Sequence, residues 1–86
     1  MGRTSTSQKL GKRLKEIRRS MGLTQEKLSI ASGISQTYIS GVENGTRNPS
    51  VKTLDKFAKA LGVSIADITD FSKDYKIKDN TRTWKH

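Results

Sequence analysis

The 86-residue chain has no cysteine, one proline (Pro49) and one histidine, the final residue His86. Without cysteine there is neither a disulfide framework nor a thiolate nucleophile, and an intracellular setting is weakly favoured. A lone terminal histidine gives no His pair and no metal-ligand spacing, and no glycine-rich phosphate loop occurs. The acids Asp55, Asp67 and Asp70 fall on expected helix surfaces or caps, where solvated charge is the usual explanation. No catalytic residue, metal or cofactor is therefore expected. Apolar residues make up only 31% of the chain and aromatic residues 6%, which allows one small, marginal core. No apolar run approaches the roughly 18 residues of a membrane-spanning helix, so no membrane partner is expected. The opening residues MGRTST lack the apolar stretch of a secretory signal. Gly2 fits a loose pattern for N-myristoylation, but six residues match such a pattern easily. The expected setting is the cytoplasm.

Acidic residues are also few: eight, against seventeen lysines and arginines, for a net charge of +9. The excess is uneven. Residues 1–20 carry seven basic and one acidic side chain, residues 71–86 carry five and two, and residues 21–70 carry five of each. Two basic ends around a neutral middle suit a polyanionic partner bound through counterion release, or a merely solubilising surface.

What is present is helical periodicity. Leu10, Leu14, Ile17 and Met21 recur at helical spacing and predict a first helix over about 8–21, ended by Gly22. Thr24 predicts the cap of a second helix to Ser32, and Ser35 that of a third over about 36–44, stopped by Gly45. Pro49 and Ser50 open a fourth over about 51–61, with Leu54, Phe57, Ala58 and Leu61 as its buried stripe. Ser64 with Asp67 is a variant capping box for a fifth over about 65–70, whose apolar side is Ile65, Ile68 and Phe71. The chain thus divides into an arm (1–7), a helical domain (8–71) and a basic tail (72–86). In the tail Tyr75 and Ile77 alternate with Lys76 and Lys78, and Asp79-Asn80 signals a turn. A short hairpin and a frayed tail both fit.

Thr24 to Val42 is the most informative stretch. Two short helices meet at Gly33, with Leu28, Ile34, Ile39 and Val42 as apolar contacts and Ser29 and Ala31 small enough for close approach. Ser29 can bond back to a carbonyl of its own helix. Gln36, Thr37, Tyr38, Ser40 and Asn44 remain outward on the third helix. That is a hydrogen-bonding face on a helix of a size to enter a DNA major groove. A glutamine amide can pair with both N6 and N7 of adenine, and a threonine offers a hydroxyl and a methyl, so Gln36 and Thr37 are candidate base readers, with Ser40. The loop from Asn44 to Ser50 and the start of the fourth helix offer Asn44, Arg47, Ser50 and Lys52 to the DNA backbone, where contacts set register without reading sequence.

From Leu10 to about Phe71 the chain resembles the lambda-repressor and Cro-like helix-turn-helix family, often called the XRE family. The signatures RLKEIR, GLTQEKL, SGISQTYIS, VENGTRNPS and FAKALGVS recur in order over roughly 60 of the 86 residues. In size and in its basic first helix it is also similar to the controller proteins of restriction–modification systems. The resemblance implies an all-α, five-helix, lambda-repressor-like domain with a short C-terminal extension, of bacterial or phage origin and associated with the nucleoid. It implies that Gln25 reaches a DNA phosphate and braces the third helix, and that Arg18 and Glu43 pair internally. Tyr38 is open between a sugar-phosphate contact and a spacer between helices. Gly41 departs from relatives, which usually carry a base-reading side chain there; loss of a base contact and close approach to DNA both fit.

A single recognition helix supplies too few contacts for genomic specificity, so a homodimer on palindromic double-stranded DNA is expected, with half-sites about one helical turn apart. Val63, Ile65, Ala66 and Phe71 are the candidate dimer surface. No sensor domain fits in 86 residues, so protein concentration is the expected control variable, as in a repressor or controller of its own promoter. An activator would also touch RNA polymerase, with Glu26 as one candidate contact. The rival readings are an antitoxin or other protein-interaction module, and an RNA-binding or coactivator role.

Overall fold

The computed structural model describes residues 5–70, and among these every regular element is a helix. Five helices follow in order: α1 (Thr6–Ser20), α2 (Gln25–Ser32), α3 (Gln36–Glu43), α4 (Val51–Leu61) and α5 (Ile65–Thr69). Four of the five starts carry the caps read from the sequence. Thr24, Ser35, Ser50 and Ser64 each accept a hydrogen bond from the backbone N–H three residues on. At Ser64 the Asp67 carboxylate accepts in return from the Ser64 N–H at 3.0 Å, which completes the capping box.

The start of α1 differs. It lies at Thr6, because Ser5 and Gln8 form a second capping box: the Ser5 hydroxyl accepts from Gln8 N–H, and Gln8 Oε1 accepts from Ser5 N–H at 2.9 Å. This polar device precedes Leu10, the first apolar residue of the stripe, so apolar periodicity does not register it. The other end of α1 also corrects an expectation. Met21, expected on the buried face, is the C-cap, past the last helical turn, and is 42% exposed.

One core joins all five helices. Leu10, Leu14 and Ile17 of α1 meet Leu28 of α2, Ile39 and Val42 of α3, Leu54, Phe57, Ala58 and Leu61 of α4, and Ile68 of α5. Phe57 is fully buried. Burying such a side chain contributes about 1.5–3 kcal/mol. α1 packs on α3 and α5, α2 on α3 and α4, and α4 on α5.

The α1–α3 crossing depends on a residue with no side chain. A Cβ on Gly11 would lie 2.2 Å from the Val42 carbonyl oxygen and 2.7 Å from that of Glu43. Any larger residue would push the helices apart. The α2–α3 turn passes through Gly33 at φ 75°, a left-handed conformation that glycine adopts without steric cost. Ser29 Oγ donates across this turn to the Ile34 carbonyl at 2.6 Å, rather than back along its own helix. Ala31, expected at a close approach, is exposed. Arg13 is buried on α1 and donates from Nη2 to the Asp70 carbonyl oxygen, tying α1 to the end of α5. Phe71, the possible tail hairpin, His86 and the first four residues of the arm lie outside the described residues.

Candidate nucleic-acid interface

Three segments converge around α3: the end of α1 with the start of α2, the outward face of α3 itself, and the loop from Asn44 to Ser50. On α3, Gln36 and Thr37 occupy the first two helical positions and are exposed. Tyr38 and Ser40 are half-buried, and Asn44 is the exposed C-cap. Ser35 Oγ accepts from Tyr38 N–H at 3.1 Å and fixes the first turn. The amide of Asn44 lies 3.5 Å from Ser40 Oγ, at the limit of a hydrogen bond, so it is nearly free to meet another partner.

The foot of α3 is held by a buried ionic network. Arg18 donates from Nε to Glu43 Oε2 at 2.6 Å and from Nη2 to Oε1 at 3.0 Å, a bidentate pair. The side chains are 9% and 2% exposed. Arg18 Nη1 also donates to the Leu23 carbonyl at 2.7 Å. Gln25 Nε2 donates to Glu43 Oε1 at 3.0 Å, so its amide nitrogen braces the far end of α3 from the first residue of α2. Both oxygens of the Glu43 carboxylate are thus engaged from α1 or α2, and the helix–turn–helix pair is locked to α1 by charge-assisted hydrogen bonds.

An open groove beside this network is lined by Lys15, Arg19, Thr24, Gln25 and Gln36, among others. Lys15 and Arg19 are exposed cations one turn apart on α1, and they share this groove with Thr24, Gln25 and Glu26 at the start of α2. A helix N-terminus flanked by two cations attracts an anion. Sequence reasoning did not single out this pair; the signal was the four-residue spacing of Lys15 and Arg19 within the basic first twenty residues.

The loop after α3 is folded back on the helix. The Gly41 carbonyl accepts from Thr46 N–H at 2.9 Å, Arg47 N–H at 3.2 Å and Thr46 Oγ1 at 3.1 Å. Arg47 lies over the Tyr38 ring, its guanidinium carbon 5.2 Å from the centroid. Tyr38, Thr46, Arg47 and Asn48 line a small polar hollow. Asn48 bonds to Ser7 near the start of α1. Ser50 is exposed but spends its hydroxyl as the α4 cap, accepting from Thr53 N–H at 3.1 Å. Lys52, on the first turn of α4, is exposed. The Ser7–Asn48 contact joins residues 41 apart in sequence, and the Tyr38–Arg47 contact depends on how the loop after α3 folds back, so no local pattern announces either.

Away from this surface, Val63 and Ile65 are half-buried and pack against the core, while Ala66 is exposed. The large apolar side chains most open to solvent among the described residues are Ile30 on α2, 77% exposed, and Val51 at the start of α4, 72% exposed. No helix among the described residues is long and apolar enough to cross a membrane.

A short helix pair locked at a glycine turn, its second helix polar outward and flanked by cations, is the architecture of a DNA-binding helix-turn-helix domain. The model of the Helix-turn-helix family matches residues 14–68, and the chain belongs to that family, in its XRE branch. It is 48% identical over 59 residues to the uncharacterized HTH-type transcriptional regulator y4dJ of Sinorhizobium fredii, covering 69% of this chain and 77% of that one. It is 43% identical over 63 residues to the control protein C.BamHI of Bacillus amyloliquefaciens, covering 72% and 78%. Among solved structures it is similar to the restriction–modification controller protein C.Esp1396I, determined as a tetramer with its natural 35 base-pair operator. That likeness has a TM-score of 0.71 and 35% identity, and covers 79% of this chain and 90% of that one.

Proposed function

We propose that this protein is a sequence-specific DNA-binding transcription regulator, reading a palindromic operator as a homodimer with α3 in the major groove. The observation that carries the reading is the mounting of α3. Its exposed Gln36 and Thr37 stand at the leading end of a helix fixed from behind by the Arg18–Glu43–Gln25 network. A rigid base holds base-reading groups in register, and hydrogen-bond readout depends on that register.

In this reading Gln36 pairs with adenine through its amide, Thr37 sets its methyl against a thymine methyl, and Ser40 reaches a neighbouring base or phosphate. Arg47, Lys52 and Asn44 contact the backbone on one side of the groove. Gln25, through its amide oxygen, contacts it on the other, joined by Lys15 and Arg19. Ser50 contributes through its backbone, since its hydroxyl caps α4. Arg18 and Glu43 stay internal.

The dimer surface is the turn into α5, where Ala66 is exposed and Val63 and Ile65 present their outer edges. The likeness to a controller solved as a tetramer on its operator supports recognition by more than one copy. The likeness to a control protein supports a controller role, and we propose that its output follows its own concentration. The exposed Glu26 at the start of α2 is the candidate contact to RNA polymerase. In the cell the protein is cytoplasmic and associated with the nucleoid.

The test is selection of duplex DNA from a random pool at about physiological salt, followed by binding to the best site across a salt series. A two-half-site palindrome is the expected consensus. No consensus, with only steeply salt-dependent binding, would refute operator reading and leave a non-specific basic surface.

A further inference from the structure

Gly41 lies inside α3, where glycine is a poor helix former, and it reads no base. The space above it is not empty. A Cβ at this position would lie 2.8 Å from Arg47 Cγ, 3.3 Å from Cδ and 3.5 Å from Cβ. The stem of Arg47 therefore runs across the bare backbone of α3. Nor can Arg47 back away as a whole. Its own N–H and both donors of Thr46 are fastened to the Gly41 carbonyl, so the main chain beside the stem is fixed to the same residue that the stem crosses. The nearest atom is Cγ, close to that fixed main chain, rather than the mobile end of the side chain. From this seat the guanidinium is carried over the ring of Tyr38, one turn earlier on the same face of α3, at 5.2 Å.

We propose that Gly41 is a positioning residue: a seat that holds Arg47 along the recognition helix, stacked on Tyr38, so that its guanidinium meets a DNA phosphate in a preformed orientation. The proposal rests on the reading that α3 and the loop after it face DNA. An arginine otherwise loses much rotamer freedom on binding, and a side chain already held in place avoids that loss. Its planar fork grips phosphate best when its direction is fixed. A methyl group at position 41 would force the stem to another rotamer and take the guanidinium off the ring, while leaving every other group on α3 unchanged. In this account glycine at 41 exchanges helix propensity, and a side chain that could read a base, for a fixed cation.

The experiment is a double-mutant cycle on the full-length protein with Gly41→Ala, Arg47→Ala and the pair. Each is measured by DNA binding across a salt series on the selected site and on an unrelated duplex, and by thermal melting. Gly41→Ala should shift the melting temperature by only a few degrees, because the helix propensity it gains offsets the cost of moving the Arg47 stem. Its affinity should fall about tenfold on both duplexes, for a dimer with two seats. The slope of log K against log salt should shrink by about one for each phosphate that Arg47 no longer neutralises. In the Arg47→Ala background the same substitution should change affinity by less than about twofold, since nothing remains to displace. A DNA-free readout accompanies these. In the free protein the Arg47 methylene protons should be shifted upfield by the Tyr38 ring current, and Gly41→Ala should abolish that shift. Unchanged affinity in Gly41→Ala, an equal loss with and without Arg47, or a ring-current shift that survives the substitution would each overturn the seat. If the parent protein selects no sequence, operator reading fails, and the ring-current shift still decides whether the seat exists.

Discussion

Glu43 looks like a functional acid, yet its carboxylate is buried against Arg18, and Glu43→Ala separates a functional role from a structural one. The substitution removes both carboxylate acceptors of the Arg18 guanidinium and the partner of the Gln25 amide. Arg18 keeps only its bond to the Leu23 carbonyl, in a site where its side chain is 9% exposed. A buried cation stripped of its counterion costs about 3–5 kcal/mol. A chain of this size holds roughly 4–13 kcal/mol in all. The loss should therefore lower the melting temperature by roughly 12–40 °C, at about 4–8 °C per kcal/mol for a small domain. Urea unfolding followed by circular dichroism measures it, provided the slope with denaturant is unchanged. Glu43→Gln, which keeps one acceptor, should fall between. The double variant Arg18→Met with Glu43→Leu should recover most of the loss, because replacing both partners leaves no buried charge. It should still fall short of the parent by about 1–3 kcal/mol, because the Leu23 carbonyl and the Gln25 amide lose their partners. Duplex selection in the cold with Glu43→Gln, which keeps an acceptor for Arg18, should return the parent consensus. A shift of only a few degrees, or a changed consensus, would refute the structural assignment.

The remaining predictions concern the crossing, the groove and the dimer. Gly11→Ala should destabilise by about 1–3 kcal/mol in urea unfolding despite the better helix propensity of alanine, because its Cβ would strike the Val42 carbonyl. A neutral or stabilising result would mean that α1 and α3 can separate at no cost. Gln36→Ala should cost about 1–3 kcal/mol on the selected site, with preference relaxed at one base per half-site. Equal loss on every duplex would instead make Gln36 a backbone contact. Lys52→Ala should do what Gln36→Ala does not: weaken binding to all sequences alike, with a salt slope smaller by about one for each phosphate left unneutralised. Ala66→Glu introduces a charge at an exposed position of α5 and should leave melting of the dilute monomer unchanged while raising the dimer dissociation constant in sedimentation. An unaltered dimer would move the interface elsewhere, with the exposed Ile30 and Val51 as the next surfaces to probe.

The parts of this molecule legible in its sequence are those governed by short-range rules. The stripes of α1 and α4 follow from helical periodicity, and the caps at Thr24, Ser35, Ser50 and Ser64 from the need to satisfy the first N–H groups of each helix. The same rules misjudge Met21, because the stripe continues in sequence one residue past the point where the helix ends in space. They miss the Ser5–Gln8 box because it is built from polar residues ahead of any stripe. What no short-range rule contains is the distance between two elements. Gly11 carries no signal in the sequence, and its role is visible only where an α3 carbonyl lies 2.2 Å from where its Cβ would be. Gly41 reads as a missing base contact until the arginine six residues later is found lying across it. In both cases the place of the absent side chain is occupied by another segment, a carbonyl in one and an arginine stem in the other. A glycine within a helix and without positive φ is, in this fold, a mark of where something else must pass, and the residue that passes carries the consequence. At Gly11 that consequence is the stability of the α1–α3 crossing; at Gly41 it is the aim of a cation.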